Sequence, residues 1–152
     1  MATRDLVHNL KPTRGLAPAI RTATALSSAC DTQGFESVVA RVDIGTFNDT
    51  QSGSLYIEAE LQESVDNSTY TAVADSDLSF PSGRSTISGH ATGTFVQTQT
   101  SGNNDVSGVY EVGYRGSKRY LKVNMRLTGT HTNGTPSAVT FDAGNADYSP
   151  AQ

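Results

Sequence analysis

The sequence predicts an all-β protein: an antiparallel β-sandwich of about seven strands with an extended N-terminal arm. Three observations carry that expectation. Ser and Thr together occupy 36 of the 152 positions, a composition that favours turns and strands over helix. Apolar and polar residues alternate in several runs, the period of a half-buried strand. Hydrophobic residues make up 36% and charged residues 17%, which suits two layers that each bury one face. The length fits one domain.

Residues 1–34 read as the arm. Pro12, Gly15 and Pro18 interrupt any helix. Residues 19–29 are small and Thr/Ser-rich, with one short strand expected at 19–24. Leu6, Val7, Leu10, Leu16, Ile20 and Leu26 are more aliphatic side chains than a disordered tail requires, so the arm is expected to dock on something.

Residues 35–143 read as the sandwich. Val38, Ala40, Val42 and Ile44 alternate with Val39, Arg41 and Asp43. Leu55, Ile57, Ala59 and Leu61 alternate with Tyr56, Glu58, Glu60 and Gln62, which puts both glutamates on a solvent face. Short strands are expected at 70–74 and 94–98, with 75–104 otherwise irregular. Tyr110, Val112 and Tyr114 share one face, Gly116-Ser117 turns, and Leu121, Val123, Met125 and Leu127 share the next face. Two runs joined so closely read as a β-hairpin, with Lys118, Arg119, Lys122 and Arg126 supplying charge to protect an edge. A last strand is expected at 138–141. Residues 144–152 read as a polar tail.

The chemistry-bearing residues form no familiar constellation. The net charge of −4 excludes a nucleic-acid binder working through a positive field. No apolar run approaches roughly 18 residues, so no membrane helix is expected, and the first residues carry no secretion-type apolar core. Cys30 is the one cysteine, which excludes an intrachain disulfide framework and a zinc cluster. His8, His90 and His131 lack ligand spacing and read as loop histidines. Glu58 and Glu60, Asp75 and Asp77, and Asp142 and Asp147 are loose pairs. Neighbours on one face do not oppose each other across a sugar at about 5–9.5 Å, as a glycosidase pair does. There is no G-x-S-x-G elbow, and 66–68 and 75–77 read as turns. No catalytic, cofactor-binding or metal-binding residue is therefore assigned, and the chain is not expected to be an enzyme. The densest basic-aromatic patch, residues 113–120, reads equally as a protein contact through Arg115, Lys118 and Arg119 or as an ordinary solvated hairpin.

Three stretches resemble small structural proteins from the head-gene clusters of tailed bacteriophages. They are the opening Met1-Ala2-Thr3-Arg4-Asp5-Leu6-Val7-His8-Asn9-Leu10, the strand-turn-strand from Leu61-Gln62-Glu63-Ser64 to Tyr70-Thr71-Ala72-Val73, and Tyr110-Glu111-Val112-Gly113-Tyr114-Arg115-Gly116-Ser117-Lys118-Arg119-Tyr120-Leu121-Lys122-Val123. Together they cover about a third of the chain. The resemblance implies a capsid decoration, or cement, protein that binds the outer surface of the major capsid protein shell as a trimer or dimer and stabilises the head. It implies no chemistry, no cofactor and no nucleic-acid or membrane partner. It also implies a place on the virion surface after synthesis in the host cytoplasm. The expected contacts are Leu6, Val7, Leu10 and Leu16 in the arm and Arg115, Lys118 and Arg119 at the hairpin tip. Two alternatives stay open: a tail-tube, tail-terminator or connector subunit, and a carbohydrate-binding β-sandwich.

Overall fold

Alternation along the strands builds two antiparallel sheets whose apolar faces meet. The computed structural model describes residues 8–98 and 106–146. Among them are eleven strands: β1 (Leu10–Arg21), β2 (Ala25–Leu26), β3 (Cys30–Asp31), β4 (Phe35–Ile44), β5 (Tyr56–Ser64), β6 (Thr71–Ala72), β7 (Leu78–Ser79), β8 (Thr94–Gln97), β9 (Gly108–Tyr114), β10 (Tyr120–Thr128) and β11 (Thr135–Ala146). The first sheet runs β1-β11-β4-β9-β7. In the second, β10 and β5 form the centre; β2 and β3 line the free side of β10, and β6 and β8 line the free side of β5. Among the described residues the one helical element is the 3-10 turn Asp75–Asp77, and no helix is long and apolar enough to cross a membrane.

The all-β sandwich is as expected, but with eleven strands instead of about seven. β2, β3, β6 and β7 are two residues each, too short to show any alternation. The long strands follow the period closely. Val38, Ala40, Val42, Ile44, Ile57, Ala59, Leu61, Leu121, Val123, Met125, Val139 and Phe141 are all at most 4% exposed. Each of the Val, Ile, Leu, Met and Phe side chains among them contributes about 1.5–3 kcal/mol by leaving water.

Most of the stretch read as an arm belongs to the sandwich. β1 pairs antiparallel with β11, from Leu10 opposite Gly144 to Arg21 opposite Thr135, with register slips between Arg14 and Leu16 and between Leu16 and Ala19. Those irregularities erase the period of two. Pro12 and Pro18 are tolerated because β1 is an edge strand, where a missing N–H can face outward. β11 in turn continues to Ala146, past the boundary expected at residue 143.

A second correction concerns residues 108–128. β9 and β10 are not a hairpin: β9 pairs with β4 and β7, whereas β10 pairs with β2, β3 and β5. Their connection crosses from one sheet to the other. β10 is also interior to its sheet, so Lys122 and Arg126 protect no edge. Lys122 Nζ sits 4.2 Å from the centre of the Tyr70 ring instead.

Hydrogen bonds join the two sheets where β1 meets the β2–β3 link. Ser28 N donates to Gly15 O at 2.9 Å and Ser27 N donates to Val123 O at 2.9 Å. Val123 N donates back to Ser27 Oγ at 2.9 Å. A Cβ on Gly15 would lie 2.9 Å from both Phe141 Cε2 and Val139 Cγ1 and 3.1 Å from Ser27 Cβ. Phe141 and Val139 are fully buried and have little room to retreat. Gly15→Ala is therefore expected to destabilise the protein by about 1–3 kcal/mol, read as a lower urea midpoint at unchanged slope.

The β5–β6 turn gives a second expectation. Asp66 Oδ1 accepts from Ser68 N and Thr69 N, each at 2.9 Å, and from Ser64 Oγ at 2.8 Å. The Thr69 and Ser68 amides, then the Ser64 hydroxyl, hold the carboxyl down to about 2. A depressed carboxyl stabilises the folded state fully above its unfolded value of roughly 3.9 and ceases to do so as the pH falls through its folded value. The Ser68 and Thr69 amide resonances should thus titrate near pH 2, well below the range of a free aspartate.

Candidate interaction surface

One end of the sandwich gathers most of the residues that carry interaction chemistry. β1 begins at Leu10 opposite Gly144, Gly144 lies opposite Ser37, and Val38 lies opposite Tyr114. The start of β1 and the β9–β10 crossing are therefore about three strand spacings, roughly 14 Å, apart. The β3–β4 turn closes the same end. Between it and the crossing is an open cleft of ≈ 410 Å³, lined by Phe35, Val38 and Tyr114, by Thr32, Gln33 and Glu36, and by the crossing from Arg115 through Arg119.

The crossing is held from inside. Tyr114 OH donates to Glu63 Oε2 at 2.6 Å and accepts from Lys118 N at 2.8 Å, so a side chain of the first sheet bonds one of the second. Burial, then the bond to Glu63, pushes the Tyr114 hydroxyl above its ordinary range. Arg119 makes a two-pronged ion pair with Asp31, Nε to Oδ1 at 2.8 Å and Nη2 to Oδ2 at 2.7 Å. The Arg119 hydrogen bond, outweighing desolvation, holds the Asp31 carboxyl below its usual value. The Thr32 amide and hydroxyl both donate to Arg119 O at 2.9 Å.

The expected contact residues thus divide. Arg115, Lys118 and Arg119 come together on the cleft. Arg119 is committed to Asp31, and Arg115 Nη2 donates to Ser79 Oγ at 3.0 Å; Lys118 makes no ion pair among the described residues. Leu10 sits at the same end, 37% exposed. Leu16 lies mid-strand and is packed against the core, away from the cleft. Leu6 and Val7 lie outside the described residues.

Other polar groups differ from the sequence reading. Glu58 and Glu60 do not face solvent: both are 5% exposed. Arg126 spans them, Nη2 to Glu58 Oε2 at 3.1 Å and Nη1 to Glu60 Oε2 at 3.0 Å. His90 Nδ1 lies 2.6 Å from Glu58 Oε1, and Gln62 Nε2 donates to Glu60 Oε1 at 2.6 Å. His90 is therefore a fastened residue and not a free loop histidine. His131 is also buried, with Nε2 3.0 Å from Thr128 O and Nδ1 3.9 Å from Asp49 Oδ2. The signal for the glutamate cluster was Arg126, which lies directly opposite Glu58 in the ladder; only knowledge of strand pairing brings it there. On the outer face of the first sheet Arg41 similarly bridges Asp142 and Glu111. Cys30 is buried, and burial, helped by Asp31, pushes its thiol up to about 11, which suppresses the thiolate. Among the described residues no group of three or more His, Cys, Asp or Glu side chains is placed to hold a metal ion.

No protein-family model matches the chain, and no curated protein matches it.

The glutamate cluster generates a stability expectation. Arg126→Met leaves two buried carboxylates without their shared cation and should cost about 3–5 kcal/mol. His90→Ala, which removes a side chain that is 21% exposed, should cost clearly less. Chemical denaturation of both variants orders them; the reverse order would mean that the arginine does not compensate the glutamates.

Proposed function

We propose that this chain is a structural protein of a tailed-bacteriophage head, a decoration protein that seats on the outer surface of the major capsid shell without catalysing a reaction. The observation that carries the reading is the coincidence of two things at one end of the sandwich. The stretch 110–123, which resembles phage head proteins, contains the β9–β10 crossing, and that crossing forms the rim of the cleft. The rim presents cationic side chains around an apolar lining of Phe35, Val38 and Tyr114. Such a surface favours an acidic partner by charge and a protruding apolar side chain by shape. Leu10, partly exposed at the same end of the sandwich, adds an apolar contact.

In this reading the chain acts as a trimer or dimer, and many weak copies of the same contact reinforce the shell. Arg115 and Lys118 supply the attraction. Arg119 keeps the rim in shape through Asp31.

Charge reversal tests it. Arg115→Glu combined with Lys118→Glu leaves the Tyr114–Glu63 and Arg119–Asp31 bonds in place, so the fold should persist by circular dichroism. Occupancy on heads of the encoding phage stripped of this protein should fall about tenfold or more. Unchanged occupancy would remove the cleft from the interface. A purified protein that assembles into closed rings unaided would favour the tail-subunit reading.

A further inference from the structure

The β10–β11 crossing, at the end of the sandwich opposite the cleft, contains Asn133-Gly134, the one Asn-Gly pair in the sequence. Asn-Gly is the dipeptide most prone to spontaneous rearrangement. The glycine backbone nitrogen gives up its proton and bonds to the asparagine Cγ, and the Cγ–Nδ2 bond breaks, releasing ammonia. The succinimide ring so formed is then opened by water to aspartate or isoaspartate. Water is the only co-reactant, and nothing is oxidised or reduced.

In the folded chain one side chain engages both groups this reaction needs. Gly134 N, the nucleophile, donates to Asp49 Oδ2 at 2.9 Å. Asn133 Nδ2, the leaving group, donates to Asp49 Oδ1 at 3.0 Å and reaches Asn48 O at 3.5 Å. Asn133 N is shared between both Asp49 oxygens at 3.1 and 3.2 Å. We propose that Asn133-Gly134 is a latent deamidation site and that Asp49 is the latch that keeps it closed.

Two physical effects make the latch work. The attacking nitrogen must lose its proton, and an anionic nitrogen forming 2.9 Å from a carboxylate is opposed by direct repulsion. Ring closure also requires Gly134 to swing toward the Asn133 side chain. Gly134 is buried with φ +68, and a Cβ there would lie 2.6 Å from Arg21 O and 2.8 Å from Ile20 Cγ2, so the backbone has little room to turn. Burial opposes the Asp49 charge, but the amides of Asn133 and Gly134 outweigh it and hold the carboxyl below its ordinary value. Among the described residues the titratable group that faces it is His131, with Nδ1 3.9 Å away. Once formed, a carboxylate at position 133 would confront Asp49 and could not restore the amide's bond to Oδ1. The change would run one way.

The test follows Asn133 by peptide mass spectrometry and isoaspartate detection, with Asn67 and Asn124 as internal references. Wild-type protein incubated folded should keep Asn133 intact, while the same chain in urea converts it several-fold faster. Asp49→Ala should convert Asn133 several-fold faster than wild type with both references unchanged. If Asp49→Ala accelerates the references as well, it has unfolded, and Asp49→Asn decides: selective acceleration supports the latch, and none overturns it. Equal rates at Asn133 in the folded and unfolded wild-type chain would also overturn it.

Discussion

The sandwich depends on the close approach of its two layers where Gly15 lies against the Ser27 crossing. Ser28 N reaches Gly15 O in the first sheet, while Ser27 uses both its amide and its hydroxyl on Val123 of the second. One short link thus continues two edges at once. Any side chain on Gly15 would have to occupy the space of Phe141 and Val139, the centre of the apolar layer. Polar clamps recur at other places where the described chain changes sheets. Arg119 holds Asp31, Tyr114 holds Glu63, and Asp49 holds Asn133 and Gly134. A chain with a modest apolar fraction is fastened at its corners by hydrogen bonds.

The glutamate cluster plays the same part on the face of β5 that the β7–β8 stretch covers. Burying charge is weak ground for stability in itself, since an apolar replacement of equal shape often does as well. What this cluster supplies is a position for the irregular stretch between β7 and β8. His90 is tied to Glu58, Gly93 N donates to Asp75 Oδ1 at 3.0 Å, Gly93 O accepts from Leu61 N at 2.9 Å, and Arg84 Nη2 donates to Phe95 O at 3.0 Å. A segment with almost no repeating pattern is laid along β5 by specific polar bonds.

These features explain what could be seen in the sequence. The inward positions of β4 and β10 were legible because each of these strands buries alternate residues, those of β5 because Ile57, Ala59 and Leu61 alternate with polar residues although the glutamates between them are buried too, and the all-β class follows from them. β1 was not, because its two prolines and register slips suit an edge and erase the signal by which strands are recognised. The β9–β10 link misled because a short turn between two alternating runs looks identical whether the second run pairs with the first or crosses to the other layer. At the candidate surface, Arg115, Lys118 and Arg119 were legible as a cluster of like charge, but the commitment of Arg119 to Asp31 joins residues 88 apart and has no local trace. Leu16 was misplaced for the same reason as β1. Nor could alternation alone distinguish a solvated glutamate from one covered by a loop; Glu58 and Glu60 needed Arg126 and His90 beside them.

One further property follows from the pairing of β1 with β11. Leu10 and Gly144 face each other at the same end of an antiparallel ladder, so mechanical tension on the two flanking segments would part the strands rung by rung. Opposed pulls along the strand axis would instead load all the rungs together. The protein should therefore yield gently when tugged by both ends, yet resist strongly when dragged across that seam.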